Sequence, residues 1–160
     1  MARWWKVVLV AVLVGLPAFL LGPALWPISP DFPVPAPEQM PFFILLSVFD
    51  SLFLGLGIAF ILFGWPLIRR MPGGSGALRR AVYLSIVFLL VSWWPHINLH
   101  NAVGFDLQGL LYIDYAFHIP LMISGGIVAY GFLNLFRQSE VIVDAADRTP
   151  VERATSQVPG

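Results

Sequence analysis

Residues 41–68 read PFFILLSVFDSLFLGLGIAFILFGWPLI and are followed directly by Arg69 and Arg70. Asp50 is the single ionisable side chain in this run. A helix needs about 20 predominantly apolar residues to cross the hydrocarbon core of a bilayer. The run therefore predicts a spanning helix that ends at a basic boundary.

Three other segments have the same apolar character, and we predict spans at residues 7–26, 81–96 and 112–136. The span at residues 81–96 reaches residue 100 if its helix continues through Pro95. The chain is 58% hydrophobic and 11% charged, whereas soluble domains carry about 25% charged residues. The sequence indicates an all-α integral membrane protein, with an antiparallel bundle of four transmembrane helices in residues 1–137. The basic residues do not form a patch, so the sequence does not indicate binding to nucleic acid.

The distribution of basic residues predicts the orientation. Arginines flank one short loop and follow the last span, at Arg69, Arg70, Arg79, Arg80 and Arg137. The loops 27–40 and 98–106 contain no lysine or arginine. By the positive-inside rule, both termini are cytoplasmic and these two loops face outward. We expect a multi-pass protein of the plasma membrane.

The segments at the two ends of the chain allow further predictions. Arg3 and Lys6 precede the first apolar run, a pattern that also fits a cleaved signal peptide. That run is longer than the apolar core of a signal peptide, which has about 7–15 residues. Its length therefore favours a retained helix. Residues 138–160 are polar and mixed in charge, which predicts a disordered cytoplasmic tail.

Ionisable side chains interrupt the last three spans at Asp50, His96, His100, Asp114 and His118. Counted from the cytoplasmic arginines at ~1.5 Å per residue, they lie at ~24 to ~34 Å. The hydrocarbon core is ~30 Å thick, so all of them are expected near the outer interface. Ionisable groups within spans are costly in free energy and indicate function by default.

These side chains form a candidate metal site. His96 and His100 share a helix face, as do Asp114 and His118, because residues four apart are neighbours on a helix. We predict His96, His100 and His118 as ligands, Asp50 as a ligand or an orienting group, and Asp114 as a group that orients a histidine. Imidazole and carboxylate suit zinc, copper, iron or manganese. The chain has no cysteine, so thiolate ligands are excluded.

Two alternatives remain open at this point. The histidine and aspartate side chains form a structural or proton-sharing network in an accessory or assembly subunit of a membrane complex. In that case the glycine-rich faces of the second and fourth spans pack against membrane-protein partners, while the lipid bilayer surrounds the spans. A third, less favoured hypothesis is haem b held by axial histidines such as His100 and His118. The sequence identifies no reaction or substrate.

Overall fold

The computed structural model describes residues 4–72 and 74–147, and these residues are helical with short connections and no strands. The helices are α1 Trp4–Leu25, α2 Met40–Phe63, α3 Trp65–Ile68, α4 Gly76–Val103, α5 Leu107–Ile113 and α6 Ile119–Asp147. A 3-10 turn, Pro37–Gln39, precedes α2, and a π-helical turn, Asp114–His118, joins α5 to α6.

Four helical segments are long and apolar enough to span a membrane, as the sequence predicts: Trp4–Leu25, Pro37–Phe63, Gly76–Val103 and Leu107–Arg137. Their boundaries differ from the predicted ones, most clearly at the ends of the last three. The second helix ends at Phe63 rather than residue 68, because Pro66 cannot donate a backbone hydrogen bond and lies in the first turn of the separate helix α3. The third passes through Pro95 and continues to Val103. The last continues to Asp147, into the predicted tail, and residues 148–160 lie outside the described part.

Capping side chains set two helix starts. Ser75 accepts a hydrogen bond from Leu78 N at 3.1 Å and begins α4. Asp106 accepts one from Gly109 N at 2.8 Å and begins α5 as its N-cap. Gly104 lies between these helices with φ 61° and ends α4. This tight turn places α5 and α6 beside α4.

Neighbouring helices in the chain pack antiparallel. Gly15 of α1 lies against Ser51 of α2, whereas Gly55, further along α2, lies against the earlier residue Ala11. α4 runs back along α2, since Tyr83 donates to Ile61 O at 2.8 Å. α6 then packs on α4 but not extensively on α1. The four long helices therefore form a row in chain order rather than a closed ring.

Small residues form the helix contacts and large apolar residues face outward. The buried positions of α1 are Ala11, Gly15, Ala18 and Gly22. Most large side chains of the same helix are exposed, including Leu13 at 63% and Leu20 at 64%. This distribution is the reverse of that in a soluble protein, which buries its large apolar residues. It matches helix packing in lipid, where small residues allow close backbone approach.

Candidate metal centre

Helix α4 contributes two histidines on one face. His96 and His100 are one turn apart, and their Nε2 atoms lie 3.1 Å from each other. They remain on one continuous helix because Pro95 does not end α4. His96 is buried and His100 is partly exposed.

The third histidine comes from the π-helical turn before α6. His118 Nε2 lies 2.9 Å from His96 Nε2, across the antiparallel contact between the two helices. The turn is held by a bond from Ile119 N to Asp114 O, which spans five residues. Pro120 explains this local widening, because it lacks the N–H that would bond to the carbonyl of Ala116 in an α-helix.

Asp114 sets the orientation of His118. Its Oδ1 lies 2.5 Å from His118 Nδ1, one turn along the same helix. A carboxylate accepts hydrogen bonds, so this contact places the imidazole proton on Nδ1 and leaves a lone pair on Nε2. Carboxylate–histidine pairs of this kind orient the ligands of many metal sites. The contact between Asp114 and His118 therefore has the geometry that an orienting role for Asp114 would require.

Aromatic side chains position His96 at the centre of the cluster. Its ring stacks on Phe117 with centroids 5.4 Å apart and contacts Trp93 edge-on at 6.2 Å. Its Nδ1 is buried and has no hydrogen-bond partner in the described part of the chain. The ring is held by packing, with Nε2 directed at both other histidines.

Hydrogen bonding alone does not satisfy the three histidines. His96 Nε2 faces both His100 Nε2 and His118 Nε2 within 3.1 Å. A neutral imidazole nitrogen either donates one proton or accepts at one lone pair. It can therefore form one strong hydrogen bond here, and the second close contact has no complementary partner.

A cation coordinated by three Nε2 lone pairs removes this conflict. One ligand atom from each histidine lies within 4.8 Å of the others. Zinc–nitrogen bonds of about 2.0–2.1 Å in a tetrahedron separate the nitrogens by about 3.3 Å. The observed 2.9 and 3.1 Å need an outward movement of a few tenths of an ångström. The side chains of His118 and Asp114 are 41% and 56% exposed, so one side of the cluster is open.

Asp50 lies outside this cluster. Trp93 Nε1 donates a hydrogen bond to Asp50 Oδ1 at 2.7 Å, which joins α2 to α4. Asp50 therefore takes part in a hydrogen bond between helices, and its donor is a tryptophan rather than a histidine. Sequence patterns do not identify this partner, because Trp93 has the character of an aromatic residue at a membrane interface. The π-helical turn could be predicted only from Pro120.

The fold and site define a class: an all-helical chain with four helices long enough to span a membrane and a three-histidine cluster that could hold a metal ion. No protein-family model matches the chain, and no curated protein or solved structure matches it. The function of this chain is therefore inferred from the site itself.

Proposed function

We propose that this chain is a multi-pass protein of the plasma membrane that binds one transition-metal ion through His96, His100 and His118. Asp114 orients His118, and the site lies at the outer face with both chain termini in the cytoplasm. The observation that carries the proposal is the convergence of three Nε2 atoms that hydrogen bonds cannot all satisfy.

The donor set favours zinc. Three imidazoles without a carboxylate ligand suit zinc, copper or iron better than manganese, which prefers oxygen ligands. Zinc sites with three protein ligands and an open position activate a bound water, whereas closed four-ligand sites are structural. The open side at His118 supports a site that exchanges water or substrate. Bound there, zinc would act as a Lewis acid in hydrolysis or would be handed on to another protein.

The same geometry disfavours haem b. His96 Nε2 lies within 3.1 Å of both His100 and His118. A haem ligated by His100 and His118 needs a flat space between these two imidazole rings. His96 contacts both rings and leaves no such space. A single small ion needs only one nitrogen from each histidine, and such atoms lie within 4.8 Å of one another.

The first experiment is elemental analysis of the purified protein, together with the visible spectrum of the cobalt-substituted form. We expect about one equivalent of metal in the wild type and in a Glu38→Gln control, since Glu38 is exposed and distant from the site in the chain. His100→Ala and His118→Ala should each lose stoichiometric metal and the cobalt absorption bands. Full metal content in both variants, with retained helicity, would overturn the proposal.

A second candidate is an accessory or assembly subunit of a membrane complex, in which the cluster is a structural or proton-sharing network. The packing of α6 favours it. A Cβ placed on Gly125 or Gly126 meets nothing within 4 Å, so this small-residue face is open to another helix. A metal-free protein that remains folded only with co-purifying membrane proteins would support this function over the first.

A further inference from the structure

A cavity of about 600 Å³ lies away from the histidines, between the C-terminal part of α1, the N-terminal half of α2 and the C-terminal part of α4. Its volume falls in the range of about 300–1,000 Å³ that holds small organic ligands. The proline-rich segment 27–36, which we call the strap, covers one side through Ile28, Phe32, Pro33, Val34 and Pro35.

The strap is fixed in place by contacts with the end of α4. Ser29 N donates a hydrogen bond to Asn101 O at 2.9 Å. A Cβ on Gly104 would lie 2.7 Å from Ser29 Oγ, so the strap passes closely over the turn that ends α4. Proline restricts the backbone of the strap further. The cavity therefore has a defined wall rather than a loose loop above it.

The lining is mainly apolar, with residues of all three helices contributing: Phe19, Trp26, Phe43, Ile44 and Ile97. Aromatic and aliphatic walls of this kind bind the apolar body of a ligand, and a few polar groups fix its orientation. Here the polar groups at the wall include Asp50, Ser47 and Asn98.

These three polar groups offer hydrogen-bond acceptors. Asp50 Oδ1 accepts from Trp93, whereas Oδ2 has no partner in the described part of the chain. The Ser47 hydroxyl donates its proton to Phe43 O, so it can only accept a further hydrogen bond. Asn98 Nδ2 donates one of its two protons to Trp94 O, and Oδ1 remains as an acceptor. The acceptors on this wall therefore favour a ligand that donates a hydrogen bond.

We propose that the cavity binds a lipid-soluble molecule with an apolar body and a hydroxyl or amino head group, and that the head group donates a hydrogen bond to Asp50. The Asp50–Trp93 bond holds the carboxyl group at the cavity wall. The proposal is independent of the metal site, because no histidine lines the cavity.

The test uses 12-bromododecanol as the probe, added to the full chain in phosphatidylcholine nanodiscs. Bromine quenches tryptophan fluorescence on contact, and Trp26 and Trp94 both line the cavity. Phosphatidylcholine head groups carry no hydrogen-bond donor, so the lipid does not compete for Asp50. The methyl ether of the same bromoalcohol is the control probe, since it has the same chain without a donor.

We expect saturable quenching by the alcohol and about tenfold weaker binding of the ether, because the ether cannot donate a hydrogen bond to Asp50. Asp50→Asn should weaken the alcohol by a similar factor. Ser47→Phe should abolish saturable quenching by filling the cavity, and Ile97→Phe is the alternative if that variant does not fold. Equal binding of alcohol and ether, or saturable quenching unchanged in the filled variants, would overturn the proposal.

Mass spectrometry of organic extracts from the purified protein identifies the natural source. A retained lipid with an amino or hydroxyl head group, or a retained lipid-soluble alcohol or quinol, would support the proposal and distinguish these sources. Retained molecules that lack any donor would contradict it. Metal content measured on the Ser47→Phe protein separates this result from the metal proposal, since filling the cavity should leave bound metal unchanged.

Discussion

The Nε2 atoms of His96 and His118 lie 2.9 Å apart, although they belong to different helices. This contact joins α4 to the π-helical turn before α6. With His100 3.1 Å from the same His96 nitrogen, it creates three converging nitrogen atoms.

The carboxylate that orients His118 is expected to tune metal affinity without supplying a ligand. Asp114→Asn should weaken metal binding about 10–100-fold, the range observed when such partners are removed. The stoichiometry at saturating metal should stay the same, because the three imidazoles remain. Metal titration by isothermal calorimetry measures both quantities. Asp31→Asn, in the strap, is the matched control, and equal affinity in the two variants would contradict an orienting role.

The π-helical turn is expected to depend on Pro120. Pro120→Ala supplies the missing backbone N–H and permits a regular α-helix through Ala116. A π-helical turn accommodates one residue more than an α-helical turn, and each residue corresponds to about 100° of rotation about the helix axis. Loss of the π-helical turn would therefore rotate His118 away from His96. We expect weaker metal binding with unchanged helix content by circular dichroism. Pro23→Ala in α1 is the control, and an unchanged metal affinity in Pro120→Ala would show that the turn does not depend on this proline.

The contact between α1 and α2 leaves no space for a side chain at Gly55. A Cβ there would overlap the carbonyl oxygen of Ala11, whereas a Cβ at Gly126 meets nothing within 4 Å. Gly55→Ala should therefore destabilise the protein by about 1–3 kcal/mol, as overpacking does. Gly126→Ala should be neutral or slightly stabilising, because alanine favours helix. Unfolding of both variants in detergent, followed by circular dichroism, compares them, and equal stability would exclude this close packing.

The proposed orientation can be tested with single cysteines, because the native chain has none. Val34→Cys lies in the strap at an exposed position, and Pro72→Cys lies in the short loop between arginines. A maleimide that does not cross membranes should label Val34→Cys in intact cells and Pro72→Cys only after permeabilisation. The opposite pattern would invert the topology and place the histidine cluster at the cytoplasmic face.

Much of the fold could be predicted from the sequence because its signals are local. Apolar runs interrupted by prolines, glycines and arginines are sufficient to indicate four helices long enough to span. Spacing of four residues is sufficient to pair His96 with His100, and Asp114 with His118. Proline alone does not predict where a helix ends, since Pro66 separates α3 from α2 whereas Pro95 leaves α4 continuous.

The number of long helices and the residues available as ligands follow from local features of the chain. Which of these residues meet depends on how the helices pack. Equal depth in a span does not fix the rotation of a helix about its axis, and that rotation depends on small residues such as Gly15 and Gly55 packing against neighbouring backbone. Packing turned Asp50 toward Trp93 and the cavity and directed His96, His100 and His118 at one another. The physical reason is that helix length and side-chain spacing arise from local geometry, whereas the facing of each side chain depends on contacts between distant parts of the chain.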